Sequence, residues 1–144
     1  MEIISKSVNE TKDLATNIAQ EILATKRANL VLLEGELGGG KTTFSQGFLA
    51  GLGVIQNVTS PTFVIMKTYL IPNSKFKVYH LDLYRLEQEW EVLDLGIMDL
   101  LQNPHNILLV EWASKTPNLW ESIYHTKIEF EVLNATDRAI IINP

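Results

Sequence analysis

Apolar residues recur every fourth position at Leu14, Ile18 and Ile22, with Ala15, Ala19 and Leu23 beside them. That is the period of a helix with one buried face. Ser7 and Glu10 stand ahead of the stripe with the spacing of a capping box, so the pattern predicts an amphipathic helix over residues 8–26. Residues 30–33 (LVLL) form an apolar run without alternation, as in a strand covered on both faces of a parallel sheet, and they lead directly into Gly35. Helical signals resume after Gly40 and stop near Gly51 and Gly53. Two β-rich segments, 62–70 and 75–81, flank the turn signature Ile71-Pro72-Asn73-Ser74, which predicts an antiparallel hairpin. Trp90, Leu93, Ile97 and Leu101 give residues 86–101 helix-like spacing, broken by Gly96 and closed by Asn103-Pro104. Residues 107–110 are a second fully apolar strand ending at Glu111, and the alternation of Ile128, Phe130 and Val132 followed by the apolar 139–142 predicts a closing hairpin.

Strands alternating with helices in this order predict an α/β fold whose central sheet is mainly parallel, with antiparallel hairpins added. A length of 144 residues suits one domain, 1–144, and 46% hydrophobic with 20% charged residues suffices for a real core. No apolar run approaches the roughly 20 residues of a membrane span, and the N-terminal MEIISKSVNETKDL lacks a secretory signal's pattern, so the expected location is the cytoplasm. The chain has no cysteine, which excludes disulfides, thiolate nucleophiles, iron-sulfur clusters and cysteine-based zinc sites. A net charge of -5 and a pI near 5.1 argue against gripping nucleic acid without a basic partner.

Residues 35–42 (GELGGGKT) satisfy G-x-x-x-x-G-K-[ST] at every required position, between a predicted strand and a predicted helix. Backbone N–H groups that curl around a phosphate need conformations that side chains obstruct, which Gly38, Gly39 and Gly40 permit. Lys41 is then the cation for the β- and γ-phosphates and Thr42 the hydroxyl for Mg²⁺, with the positive end of the following helix aimed at the same anion.

Glu111 ends an apolar strand, and strand ends in open α/β sheets face the ligand crevice, so it is a candidate Mg²⁺ ligand or water-orienting carboxylate. Trp112 beside it reads as either core packing or a stacking surface. A third group, HLDLYRL at 80–86, places Asp82 to sense Mg²⁺ or the attacking water and Arg85 to neutralise transferring charge. The competing reading of that segment is a solvated turn with an Asp82–Arg85 ion pair. His105 and His125 have no metal-ligand spacing to His80.

Together GELGGGKTT (35–43), Ser60-Pro61-Thr62-Phe63, HLDLYRL and Glu111-Trp112 resemble the TsaE family, formerly called YjeE, in order, spacing and chain length. The resemblance implies a P-loop NTPase-like three-layer α/β/α fold. It also implies an ATPase required for N6-threonylcarbamoyladenosine at position 37 of tRNAs reading codons that begin with A. By the same resemblance, Glu36, Leu37, Gly38, Gly39, Gly40, Lys41, Thr42 and Thr43 match the family's ATP phosphate site, and Thr42 with Glu111 its Mg²⁺ ligands. Asp82 matches the essential carboxylate of a switch-like segment; Thr11 and Arg138 match adenine-side contacts. The family usually has Ala where this chain has Gly39. The implied partners are TsaD, which transfers the threonylcarbamoyl group, and TsaB, its scaffold, with tRNA reached only through them. On this reading Lys41, Asp82 and Glu111 carry the catalysis, with ATP and Mg²⁺ as cofactors.

A GTPase is disfavoured by the lack of an Asn-Lys-x-Asp segment. A small-molecule or nucleotide kinase would use the same loop, yet the chain has only Arg27, Arg85 and Arg138 to screen two phosphate chains. A non-catalytic nucleotide sensor is the third reading.

Overall fold

A computed structural model describes residues 1–25 and 29–144. In chain order the elements are β1 (Glu2–Ser5), α1 (Val8–Thr25), β2 (Leu30–Gly35), α2 (Lys41–Gly51), β3 (Met66–Leu70), β4 (Lys77–Asp82), α3 (Glu89–Asp94), α4 (Ile97–Leu101), β5 (Asn106–Glu111), α5 (Pro117–Trp120), β6 (Thr126–Val132) and β7 (Arg138–Asn143). The strands form one sheet in the order β1-β7-β6-β2-β5-β4-β3. β6, β2, β5 and β4 run parallel at its centre, while β3 joins β4, β7 joins β6 and β1 joins β7 by antiparallel pairing.

Burial of β2 on both faces follows from this position. Val31 and Leu33 pack with Ala15, Ala19, Phe44 and Phe48 of α1 and α2. Leu30 and Leu32 face the opposite way, against Val92, Ile97 and Trp120 from α3, α4 and α5. The result is the expected three-layer α/β/α arrangement. It also explains why the sequence run lacks alternation: both faces of the strand are core.

The helix pair α1 and α2 packs closely at Gly47, where a Cβ would lie 2.6 Å from the Lys12 carbonyl oxygen and 2.7 Å from its Cα. Both contacts are with helix backbone, which cannot turn aside. Gly47→Ala is therefore expected to lower stability by about 1–3 kcal/mol despite the better helix propensity of alanine. Thermal unfolding checks this, and an unchanged midpoint would contradict the close packing.

Both predicted hairpins form, with differences. Residues 62–65 are a turn, not strand, because the Val64 and Ile65 amides donate back to the Pro61 carbonyl at 3.1 and 2.7 Å. Ile65 consequently sits at φ 69°, a left-handed conformation that β-branched residues rarely adopt. Strand β4 is also more than a hairpin arm, since it pairs in parallel with β5.

Residues 86–101 divide into α3 and α4 at Gly96, whose φ of 82° resets the helical phase. Trp90 and Leu93 are thereby left exposed, and Val92 and Ile97 are the buried residues. The helix predicted over 8–26 is described over Val8–Thr25, and residue 26 lies outside the described residues. No helix among the described residues is long and apolar enough to cross a membrane.

Candidate functional site

The C-terminal ends of the parallel strands β2, β4 and β5 open on one side of the sheet, where ligands of open α/β sheets bind. Beyond β2 the chain turns through Gly38 at φ 78° and Gly40 at φ 111°, both in the left-handed region. Gly40 is the N-cap of α2 and its carbonyl accepts the Phe44 amide at 2.8 Å, so the helix begins at Lys41 with its N-terminus at the loop. This is the geometry that concentrates backbone donors and partial positive charge for an anion.

Lys41 is 5% exposed. Its Nζ donates to the Gly35 carbonyl and stands 4.0 Å from the centre of the Trp112 ring. Burial pulls the ammonium below its ordinary pKa, and the negative charges of Glu111, Glu34 and Asp82 oppose that shift. Trp112 follows β5 in the left-handed region at φ 60°, and Tyr84 packs on its ring at 5.0 Å. It is a half-buried wall of the cleft and a cation-π partner for Lys41, a combination of the two roles its sequence position left open.

Asp82 and Glu111 are direct neighbours in the β4–β5 register. The rows Val78, His80, Asp82 and Ile107, Leu109, Glu111 lie on the α1/α2 face, apolar at the start and polar at the mouth of the cleft. Asp82 accepts hydrogen bonds from Thr62 Oγ1 at 2.8 Å and from the Tyr84 amide at 3.0 Å. Ser60 Oγ joins Thr62 Oγ1 at 2.8 Å. Glu111 Oε2 is 2.7 Å from His80 Nε2.

Across the cleft, Thr11 meets Ser5 through hydroxyls 2.7 Å apart. Arg138 donates to the Asn134 carbonyl at 2.8 Å and the Gly38 carbonyl at 3.2 Å, tying the β6–β7 turn to the glycine-rich loop. Side-chain donors from Asn134 and Thr136 fold that turn and hold the Asp137 carboxyl below its usual pKa. Leu37, Gly38, Gly40, Lys41, Thr42, Thr43, Asp82, Glu111, Thr11 and Arg138 all line one cleft of about 680 Å³.

Comparison with known proteins accords with this geometry. Residues 5–140 match the family described as threonylcarbamoyl adenosine biosynthesis protein TsaE. The chain belongs to the TsaE family. A tRNA threonylcarbamoyladenosine biosynthesis protein TsaE of Rickettsia felis is 37% identical over 98% of this chain and 80% of its own length. The TsaE of Bacillus subtilis is 43% identical over 72% of this chain; that match spans 61% of the relative, under two thirds of it. The crystal structure of Bacillus subtilis YdiB superimposes with a TM-score of 0.74 at 29% identity, covering 97% of this chain and 82% of that one.

Within this TsaE-family fold, not every residue singled out in the sequence reaches the cleft. Glu36 and Gly39 are not among its lining residues, and the Gly39 amide is occupied by the Glu36 carbonyl at 2.9 Å. A Cβ at Gly39 would meet that same carbonyl at 2.9 Å, so this loop conformation favours glycine over alanine. Arg85 is exposed and lies over the Phe63 ring at 4.6 Å, away from the cleft lining. The Asp82–Arg85 ion pair does not form either; Asp82 is 3% exposed and His80 fully buried, because β4 carries both into the sheet. Among the described residues the ion pair made by a Lys or Arg is Lys127–Glu129, while His80 and Glu111 share a buried hydrogen bond.

The sequence reading assigned no role to His80, Ser60 or Thr62. Their signal was present in the same motifs, HLDLYRL and Ser-Pro-Thr-Phe, without the strand register that brings them together.

Proposed function

We propose that this chain binds ATP with Mg²⁺ in the cleft and hydrolyses it as the ATPase component of tRNA N6-threonylcarbamoyladenosine biosynthesis, in complex with TsaD and TsaB in the cytoplasm. The observation that carries the reading is the convergence of the loop, Lys41, Thr42, Asp82 and Glu111 at the strand ends of one cleft.

The residues fit such a ligand. The left-handed glycines and the N-terminus of α2 suit phosphate oxygens, and the desolvated Lys41 supplies a cation matched to transferring charge. Among the described residues no group of three or more His, Asp or Glu forms a self-sufficient metal cage. Mg²⁺ typically uses one or two protein ligands and completes its shell with phosphate oxygens and water, so Thr42 and Glu111 are an adequate set. Bound there, the ion would neutralise charge on the β- and γ-phosphates. Asp82 fixes the Ser60–Thr62 turn and the Tyr84 amide beside Glu111, and Thr11 with Arg138 forms the side of the cleft suited to the base. An acidic chain of this kind would contribute nucleotide energy while TsaD and TsaB hold the tRNA.

The test is phosphate release by the purified chain, alone and with TsaD and TsaB, together with modified-nucleoside analysis of tRNA from a depleted strain. Release without a phosphorylated acceptor and loss of the modification support the reading. Transfer of the γ-phosphate to a metabolite would replace it with a kinase, and tight binding without turnover in any company with a sensor. Asp82→Ala is expected to keep ATP affinity within about threefold while lowering partner-stimulated release by about 10²-fold, since it uncouples two segments from the reacting side of the cleft. Normal release and normal tRNA modification with only a small stability loss would reject this role.

A further inference from the structure

We propose that His80 is a positioning residue for Glu111, whose Nε2–H fixes one carboxylate oxygen so that the other serves the cation or the attacking water. The inference rests on the ATPase reading of the cleft. It is drawn from a contact that reading does not use.

His80 and Glu111 meet at 2.7 Å with side chains 1% and 3% exposed, so no bulk water competes for the contact. Among the described residues the other ring nitrogen, Nδ1, is buried without any hydrogen-bond partner. A carboxylate oxygen accepts, so at this distance Nε2 is the donor and Nε2–H is directed at Glu111 Oε2.

Strand geometry makes the contact stiff. His80 stands two residues before Asp82 on the same face of β4, and Glu111 is opposite Asp82 on β5, so parallel pairing sets the approach. Glu111 Oε1 has no partner among the described residues, and Glu111 lines the cleft. Carboxylates at metal sites commonly owe their orientation to such an outer donor, and losing it typically costs about 10–100-fold in metal affinity or activity.

Two variants and one spectrum test the assignment. His80→Leu removes the donor while filling the site with apolar volume; His80→Gln keeps an N–H near the position of Nε2. The leucine variant is expected to raise the Mg²⁺ concentration for half-maximal ATP binding at least about tenfold and to slow phosphate release with TsaD and TsaB by about 10–100-fold, with the glutamine variant recovering most of both. ¹⁵N-labelled wild-type protein, compared with His80→Gln to assign the signal among three histidines, should show a proton on Nε2 of His80. An Nε2 without a proton would overturn the proposal. So would wild-type Mg²⁺ dependence in a folded leucine variant. If the wild-type chain releases no phosphate with its partners, the ATPase reading fails, whereas the proton on Nε2 and the Mg²⁺ dependence of binding still decide the role of His80.

Discussion

Lys41→Ala is expected to abolish productive ATP use while leaving the fold largely intact. The phosphate loop has no other Lys or Arg. Its ammonium is desolvated and faces the buried carboxylates of Asp82 and Glu111, so its removal leaves a net negative wall where a triphosphate would have to sit. Loss of one preorganised charge donor in such a site costs about 10²–10³ in rate, and repulsion from the remaining carboxylates adds to that loss. The fold should tolerate the change because Lys41 takes part in neither apolar core, and its side chain touches the Gly35 carbonyl of its own loop and the Trp112 ring at the cleft surface. Lys41→Met, which restores the apolar volume without the charge, should fail in the same way. Equilibrium nucleotide binding and phosphate release, measured on variants whose thermal unfolding is normal, check the expectation. Wild-type values for both would refute it.

The site was legible in the sequence wherever its parts are contiguous. The phosphate loop is eight consecutive residues, and the two apolar strands advertise themselves because both of their faces are covered. The α/β class followed from the order of these runs. What the sequence could not show are contacts set by register between distant segments. Nothing in the spacing of 31 residues between His80 and Glu111 announces that they touch. Likewise β1 is four residues without strong alternation, and its partner β7 lies at the other end of the chain.

Local pattern also misled where the backbone changes phase. Trp90 and Leu93 share helical spacing with Ile97, but Gly96 intervenes at φ 82° and only Ile97 enters the core. Asp82 and Arg85 are three residues apart, close enough to suggest a local ion pair. The strand end turns Asp82 into the sheet and leaves Arg85 outside, against Phe63. The Ser-Pro-Thr-Phe motif was visible, yet its role needed the fold, which brings Thr62 to the carboxylate of Asp82.

Glu111→Gln should retain ATP binding and lose most hydrolysis, and the geometry specifies how. Glutamine has nearly the same shape, so the effect comes from charge and from which terminal atom faces which neighbour. With Nε2–H of His80 directed at the side chain from 2.7 Å, the amide oxygen takes the inward position, because the amide NH₂ there would oppose one donor to another. The NH₂ is thereby turned to the cleft, where it can neither coordinate Mg²⁺ nor accept a proton from water. The substitution removes the useful ligand atom as well as the charge, although it keeps an oxygen. Hydrolysis is expected to fall by about 10²–10³, with ATP affinity in the absence of Mg²⁺ unchanged or improved by the lost repulsion and the Mg²⁺ requirement raised. Single-turnover phosphate release with TsaD and TsaB, set beside nucleotide affinity over a Mg²⁺ series, separates these effects. A residue that merely terminates a strand would leave both measurements at their wild-type values, and unaltered hydrolysis would remove Glu111 from the reaction.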